Sequence, residues 1–183
     1  MSVTAPRIPP ITPDEWTDAT RELFAFMEGP QARVEGSKYN VIKMFAHHPE
    51  LSHPFLVFSR VLLRNISLST RVREITILRV AHLNWCEYEW VQHVKISLNA
   101  GVLTEADFEA IKAGSPGPDW SVLDGLVLHA VDQLKADGVI GDALWAALAE
   151  HLDRRELIEL LYVIGAYTLD AWLFNSTGVQ LDD

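Results

Sequence analysis

From Ser69 to Gly101 the chain reads as two consecutive apolar helices with almost nothing between them, and this pair limits the fold more than any other feature. Ser69 is a candidate N-cap for a helix from Thr70 to about Asn84, because its hydroxyl can accept from a first-turn amide that has no partner inside the helix. Ile75, Ile77, Leu78, Val80, Ala81 and Leu83 leave that helix little polar surface, so it is expected at the centre of the protein. The second helix starts near Cys86 and ends at Asn99-Ala100-Gly101, where glycine suits the left-handed residue after a helix.

The remaining segments read as helices too. Thr12-Pro13-Asp14-Glu15 is a helix start, with Thr12 as N-cap and Glu15 as its reciprocal partner, predicting a helix to about Glu28 with Trp16, Leu23, Phe24 and Met27 as its apolar face. GPQARVEGS reads as a loop. Tyr39 to Ala46 is a short helix, and Pro49 opens another to about Asn65 with Phe55, Val57, Phe58, Val61 and Leu62. Thr104 starts a helix to about Ala113, and SPGPD from Ser115 is the clearest break. Helices from Trp120 to Ala136, Gly141 to His151 and Asp153 to about Asn175 complete the chain, the last opened by Asp153 and Glu156 as a capping pair. Alternating apolar patterns and Asn-Gly hairpin signals are absent. The expected class is all-α, as one domain over residues 1–183, with residues 1–11 a Pro-rich extended arm. Arg73-Glu74-Ile75 and Arg155-Glu156-Leu157 open similar runs, a faint sign of internal duplication.

Composition narrows the partners. Asp plus Glu number 25 against 15 Lys plus Arg, a net charge of −10 with no basic run, which argues against nucleic acid and against an anionic membrane surface. No apolar stretch is expected to reach the length of a membrane span. MSVTAPRIPPITPDEW lacks the basic region and apolar core of a signal peptide. The single cysteine cannot form an internal disulfide, so a reducing cytoplasm is the expected location.

That cysteine belongs to the candidate site. Glu89 follows Cys86 by three residues and His93 by seven, so on a helix the three share one stripe. A thiol, a carboxylate and an imidazole within reach of one another can attack, take and give protons. Cys86 read alone is a small core residue, although a helix N-terminus stabilises a thiolate. Glu89 works against that, because a carboxylate one turn away disfavours a second negative charge. Glu89 and His93 could be an exposed i,i+4 pair, but beside Trp85, Tyr88 and Trp90 they are expected to be buried and functional. Glu74 could pair with Arg71 or Arg73, or serve the site as a second base or as the orienter of His93. His82 lies on the same face as Glu74 and is expected to be a core or pocket-wall histidine. Tyr88 and Trp90 are candidates for a substrate platform, and Arg71, Arg73 or Arg79 for holding a substrate carboxylate. His47, His48 and His53 match no common zinc spacing, so neither a metal nor another cofactor is expected.

RVREITILRVAHL followed by CEYEWVQHVKISLNAGVLTEADFEAI, with YNVIKMFAHHPELSHPFLVFSRVLL upstream, resembles the carboxymuconolactone decarboxylase family, which includes the alkylhydroperoxidase-D-like (AhpD-like) proteins. The resemblance covers roughly residues 39–113. It implies an AhpD-like helical bundle and a homo-oligomer, often a trimer or hexamer. The family's peroxidase branch carries a glutamate, then Cys-x-x-Cys, then a histidine four residues on; Glu74, Cys86 and His93 stand at those positions, and Glu89 replaces the second cysteine. The decarboxylase branch lacks the cysteines and carries Glu-x-x-x-His, here Glu89 and His93. The chain thus combines features of both branches.

Three functions remain open at this level. The first is a non-redox enzyme performing decarboxylation, isomerisation or ester or lactone hydrolysis on a small conjugated carboxylic acid, such as an aromatic-ring-cleavage product. The second is a thiol peroxidase using Cys86 with an external resolving thiol. The third is a non-catalytic oligomeric ligand-binding protein.

Overall fold

The computed structural model describes residues 5–182, and among them are ten α-helices and no strand, so the protein is all-α. The described residues form two compact units, one of Met1–Arg64 with Leu173–Asp183 and one of Asn65–Trp172.

The first unit holds α1 (Asp18–Glu28), α2 (Ala32–Glu35), α3 (Asn40–Phe45) and α4 (Pro49–Arg64). The Thr12–Glu15 capping box is present, but it opens only a 3-10 turn over Pro13–Glu15. Trp16 then turns extended, and Thr17 caps α1 by accepting from the Thr20 amide. Two capping residues in succession explain why the expected single helix is split. GPQARVEGS is also not all loop, since α2 occupies its middle between Gly29 and Gly36, both at positive φ. Leu23 and Phe24 are fully buried, and Phe45 packs edge-on against Phe174 at 5.8 Å. Of the expected N-terminal arm, residues 1–4 lie outside the described residues. Residues 5–11 carry no helix, and the amides of Arg7 and Ile8 donate to the Thr177 carbonyl at 2.7 and 3.1 Å.

The second unit is organised around α5 (Thr70–Leu83), with α6 (Glu87–Ala100), α7 (Glu105–Ala113) and α8 (Val122–Asp137) packed on it. Ser69 caps α5 through the Val72 amide at 3.2 Å, as its position in the sequence predicts. Ile75, Ile77, Leu78 and Val80 are buried, each stabilising the fold by roughly 1.5–3 kcal/mol. α9 (Asp142–Ala149) follows α8, and α10 (Arg154–Thr177) closes the chain, its last turn belonging to the first unit. The reading that no apolar stretch is long enough to cross a membrane is corrected at α10, which passes by length and composition. More than half of its apolar window is nevertheless buried within the protein, and the helix carries the buried carboxyl groups Glu159 and Asp170. Glu159 accepts from the amides of Ser67 and Leu68 at 2.7 and 3.1 Å, just before the α5 cap.

Candidate active site

The turn from α5 into α6 sets the site. Asn84 ends α5, and Trp85 takes the left-handed conformation at φ 57°. The Cys86 amide reaches back to the Ala81 carbonyl at 2.9 Å and the Trp85 amide to that of His82 at 3.1 Å. This is a Schellman-type helix end with tryptophan where glycine is usual, a conformation that costs an aromatic residue about 1 kcal/mol or more. No glycine marks the end in the sequence, so a turn this tight was not legible there. It makes Cys86 the N-cap of α6 rather than a residue inside it, and Glu89 falls in the first turn.

Glu74, Glu89 and His93 come together in the interior. The His93 Nδ1 lies 2.7 Å from Glu74 Oε2, and its Nε2 lies 3.4 Å from Glu89 Oε2. On the other Glu74 oxygen, Oε1, Arg73 donates through Nε and a terminal nitrogen at 3.1 and 3.0 Å. Ser97 Oγ stands 3.4 Å from Glu74 Oε2. Glu74 is fully buried, and Cys86, Glu89 and His93 are nearly so.

The environment divides the acids. Burial pushes Glu74 up, but the hydrogen bond and charge of His93, with the Arg73 guanidinium, outweigh it and hold Glu74 below the usual carboxylate range. An ionised Glu74 can only accept, so His93 Nδ1 carries the hydrogen between them. Burial, then the nearby Asp170 and Glu74 charges, drive Glu89 well above the usual range, which favours its protonated form. The Cys86 thiol is pushed up to about 12, first by burial; the Glu89 and Tyr88 backbone amides pull it down, while Glu89 and Asp170 raise it. The site therefore combines an ionised Glu74, a Glu89 whose environment favours its proton, and a neutral thiol, with His93 between the two carboxyl groups.

The other candidates are distributed differently. Arg73 is engaged with Glu74, as one sequence reading allowed. Arg71 donates to Asp124, Asp107 and the Val102 carbonyl at 3.0, 2.8 and 2.9 Å, a clip joining the starts of α5, α7 and α8. Arg79 binds Asp132 at 2.7 Å and the Ile111 carbonyl at 2.6 Å. His82 packs between Trp85 and Trp90, with ring centroids at 6.2 and 6.0 Å. Trp90 turns to α7, meeting Phe108 at 6.3 Å and the Lys112 ammonium at 5.2 Å. Tyr88 is buried beside Glu89 in sequence. His47 contacts the Pro9 carbonyl at 2.8 Å, His48 faces Glu50 at 3.4 Å, and His53 stacks on Phe26 at 4.6 Å. Among the described residues, no group of three or more His, Cys, Asp or Glu is arranged to hold a metal ion.

Two neighbours of the site come from α10 and were not singled out in the sequence. The Tyr167 ring meets His93 edge-on at 5.1 Å. Asp170, one turn further on the same face, acts electrostatically on Cys86, Glu89 and Tyr167. Asp170 is a lone acid in the apolar run YTLDAWLF, a signal that periodicity-based reading passes over.

These features define an all-α protein with a buried carboxyl–imidazole–carboxyl array beside a neutral thiol. Residues 49–124 match the model of the carboxymuconolactone decarboxylase family. Solved structures share the fold. An alkylhydroperoxidase AhpD core, an uncharacterized peroxidase-related protein from Ralstonia eutropha JMP134, is 18% identical with a TM-score of 0.79, covering 100% of this chain and 95% of that one. An uncharacterized peroxidase-related protein from Silicibacter sp. TM1040 is 19% identical with a TM-score of 0.76, covering 98% and 93%. A protein of unknown function from Agrobacterium tumefaciens is 20% identical with a TM-score of 0.67, covering 75% and 94%. No curated protein matches the sequence.

Proposed function

We propose that the protein is a carboxymuconolactone-decarboxylase-like enzyme whose chemistry is proton transfer by Glu89 and His93. The observation that carries this reading is the His93 ring, fixed on ionised Glu74 at 2.7 Å and facing protonated Glu89 at 3.4 Å. Glu74 holds the ring and stabilises its charge when it takes a proton. Glu89 donates a proton to the substrate, and His93 takes one from the substrate or water on Nε2 and returns it to Glu89. The 3.4 Å gap is longer than an ordinary hydrogen bond, so a bound substrate group or a small shift closes it. Decarboxylation, double-bond isomerisation and ester or lactone hydrolysis all need such a pair, and the proposed substrate is a small conjugated carboxylic acid of the kind produced by aromatic-ring cleavage. Cys86 is a neutral wall of the site. The test is turnover across a panel of conjugated acids and lactones by wild type, His93→Ala and Glu89→Gln. Equal turnover by all three would exclude the reading.

A second reading is favoured by the backbone amides of Tyr88 and Glu89 at the Cys86 sulfur, with the peroxidase-related names of the structural neighbours. In it Cys86 is a single-cysteine peroxidase: thiol plus hydroperoxide gives sulfenic acid plus alcohol, and an external thiol condenses with the sulfenic acid, releasing water. Peroxide consumption lost in Cys86→Ser would establish it.

We also propose a homo-oligomer, a trimer or hexamer. Ile158, Leu161, Leu169 and Trp172 of α10 remain exposed, more apolar surface than one core requires. Sedimentation as a monomer at micromolar concentration would refute this.

A further inference from the structure

Among the described residues, the buried side-chain atoms without a hydrogen-bond partner are Trp16 Nε1 and Asp170 Oδ1. An indole N–H left unpaired is a modest loss. A carboxyl oxygen left unpaired in the interior is a larger one, because an ionised carboxyl loses most by leaving water. Asp170 is 7% exposed, and it lies one helical turn from Tyr167, whose ring packs on His93 at 5.1 Å. α10 therefore lays Tyr167 and Asp170 against the α6 face that carries Cys86, Glu89 and His93.

Asp170 acts on Cys86, Glu89 and Tyr167, and among the described residues the charged and titratable groups of that cluster belong to three helices. From α5 come Glu74 and Arg73, which bind each other. From α6 and its cap come Cys86, Glu89 and His93, and from α10 itself comes Tyr167. Arg73 and the His93 imidazole both contact Glu74. The charge of Asp170 helps to hold the proton on Glu89, whereas Asp170 itself is raised by burial.

We infer that Asp170 Oδ1, buried and without a hydrogen-bond partner, is the acceptor for a hydroxyl group of the substrate. When Asp170 is ionised, it offers an unpaired acceptor next to Glu89, which offers a hydrogen. A neutral O–H group, as in an enol or a hydroxy acid, then receives one hydrogen bond and donates another. A carboxylate at that position would be repelled by the ionised Asp170. This assignment rests on the proton-transfer reading of Glu89, but its test needs no turnover. Burial raises Asp170 to about 7, which puts the change of state within easy reach of titration.

The experiment is an infrared titration of the intact protein, following the C=O stretch of protonated carboxyl groups. Wild type is expected to lose one band near pH 7, and Asp170→Asn to lack that transition. In Asp170→Asn the Glu89 transition, identified by its absence in Glu89→Gln, should move to lower pH. In Glu89→Gln the Asp170 transition should stay near pH 7, because burial and not the Glu89 charge raises it. A Glu89 midpoint unmoved in Asp170→Asn, or no band lost near neutrality, would overturn the placing of the Asp170 charge at the site. Phenol and benzoate then probe the acceptor by equilibrium binding at pH 8. Phenol should bind more tightly than benzoate to wild type, and Asp170→Leu should weaken phenol by about 10-fold or more, the usual worth of a hydrogen bond to a charged group. Preference for benzoate, or unchanged phenol binding in Asp170→Leu, would overturn the acceptor role. Melting curves of the Asn and Leu variants, expected at or above wild type at pH 8, separate these results from misfolding. Inactivity of the enzyme toward every conjugated acid would sink the proton-transfer reading while leaving the titration result intact.

Discussion

Two clusters of charge sit on α5 within the Asn65–Trp172 unit, and they are built in opposite ways. Around Arg71, opposite charges and capping bonds meet. Asp107 accepts from Arg71, from the Thr104 amide and hydroxyl at 2.8 Å each, and from the Trp120 indole; Asp124 accepts from Arg71 and from the Ser121 amide at 3.1 Å. Burial raises Asp107, but these donors overcome it and bring it down to about 2. Around His93 the carboxyl groups outnumber the cations. Glu74 is satisfied, while Glu89 and Asp170 are raised and one Asp170 oxygen has no partner. A network that satisfies its charges fixes structure. A network that leaves acids protonated near neutrality holds protons that chemistry can use.

The largest expected difference between the clusters is in catalysis. His93→Ala and Glu89→Gln should each lower kcat/KM by about 10²–10⁴, the usual worth of a positioned acid or base. Asp107→Asn should leave kcat/KM within a few-fold, since the donors of Arg71 are engaged within the protein by Asp107, Asp124 and the Val102 carbonyl. Steady-state kinetics on whichever conjugated acid turns over reads both. A loss in Asp107→Asn as severe as in His93→Ala would erase the distinction.

Stability should separate them in the other direction. Arg71→Ala leaves two buried carboxylates without their cation, and should destabilise by about 2–4 kcal/mol after allowing for partial exposure of the guanidinium. Thermal melting should fall by roughly 5–10 °C. An unchanged melting temperature would show that the clip contributes little to folding.

The pH dependence should carry opposite signs. Asp107 is lowered when folded, so its contribution to stability is present above its unfolded value of 3.8 and is lost as pH falls toward 2. Asp170 is raised when folded, so its contribution is full below 3.8 and is lost as pH rises through about 7, amounting to at most about 4 kcal/mol. Urea midpoints from pH 2 to 8 should show Asp107→Asn flattening the acid limb and Asp170→Asn the limb between pH 4 and 7. The same limb altered by both variants would contradict the assignment.

Much of this contrast was legible in the sequence, and the remainder shows where reading by pattern ends. Ser69, Gly101, Thr104 and Asp153 marked helix ends because capping is local chemistry, and the structure honours each. Cys86, Glu89 and His93 were brought together by spacing alone. Asp170 was not, because its relation to Glu89 exists only after α10 meets α6, 81 residues apart in the chain. The Thr12 helix failed because Thr17 offered a second cap five residues later, and two local signals of equal strength cannot be ranked from sequence. Trp85 failed because its left-handed backbone contradicts its own preference and is imposed by the packing on either side.

The smallest expected effect concerns Cys86, and it tests whether the thiol belongs to the chemistry or to the wall. A thiol pushed up to about 12 is almost entirely protonated at neutral pH, and only the thiolate attacks. The helix N-terminus that would favour the thiolate is present, but burial and the charges of Glu89 and Asp170 outweigh it. Cys86→Ser substitutes one small donor for another and should keep activity within about 10-fold, far from the His93→Ala loss. Iodoacetamide should label Cys86 more slowly than free cysteine at pH 7, and labelling should quicken in Asp170→Asn, where one opposing charge is gone. If instead Cys86→Ser equals His93→Ala and the double change is no worse than either, thiol and imidazole act as one unit. The His93 cluster would then be a nucleophile's activating site, and the protonated Glu89 would serve the leaving group instead of the substrate carbon.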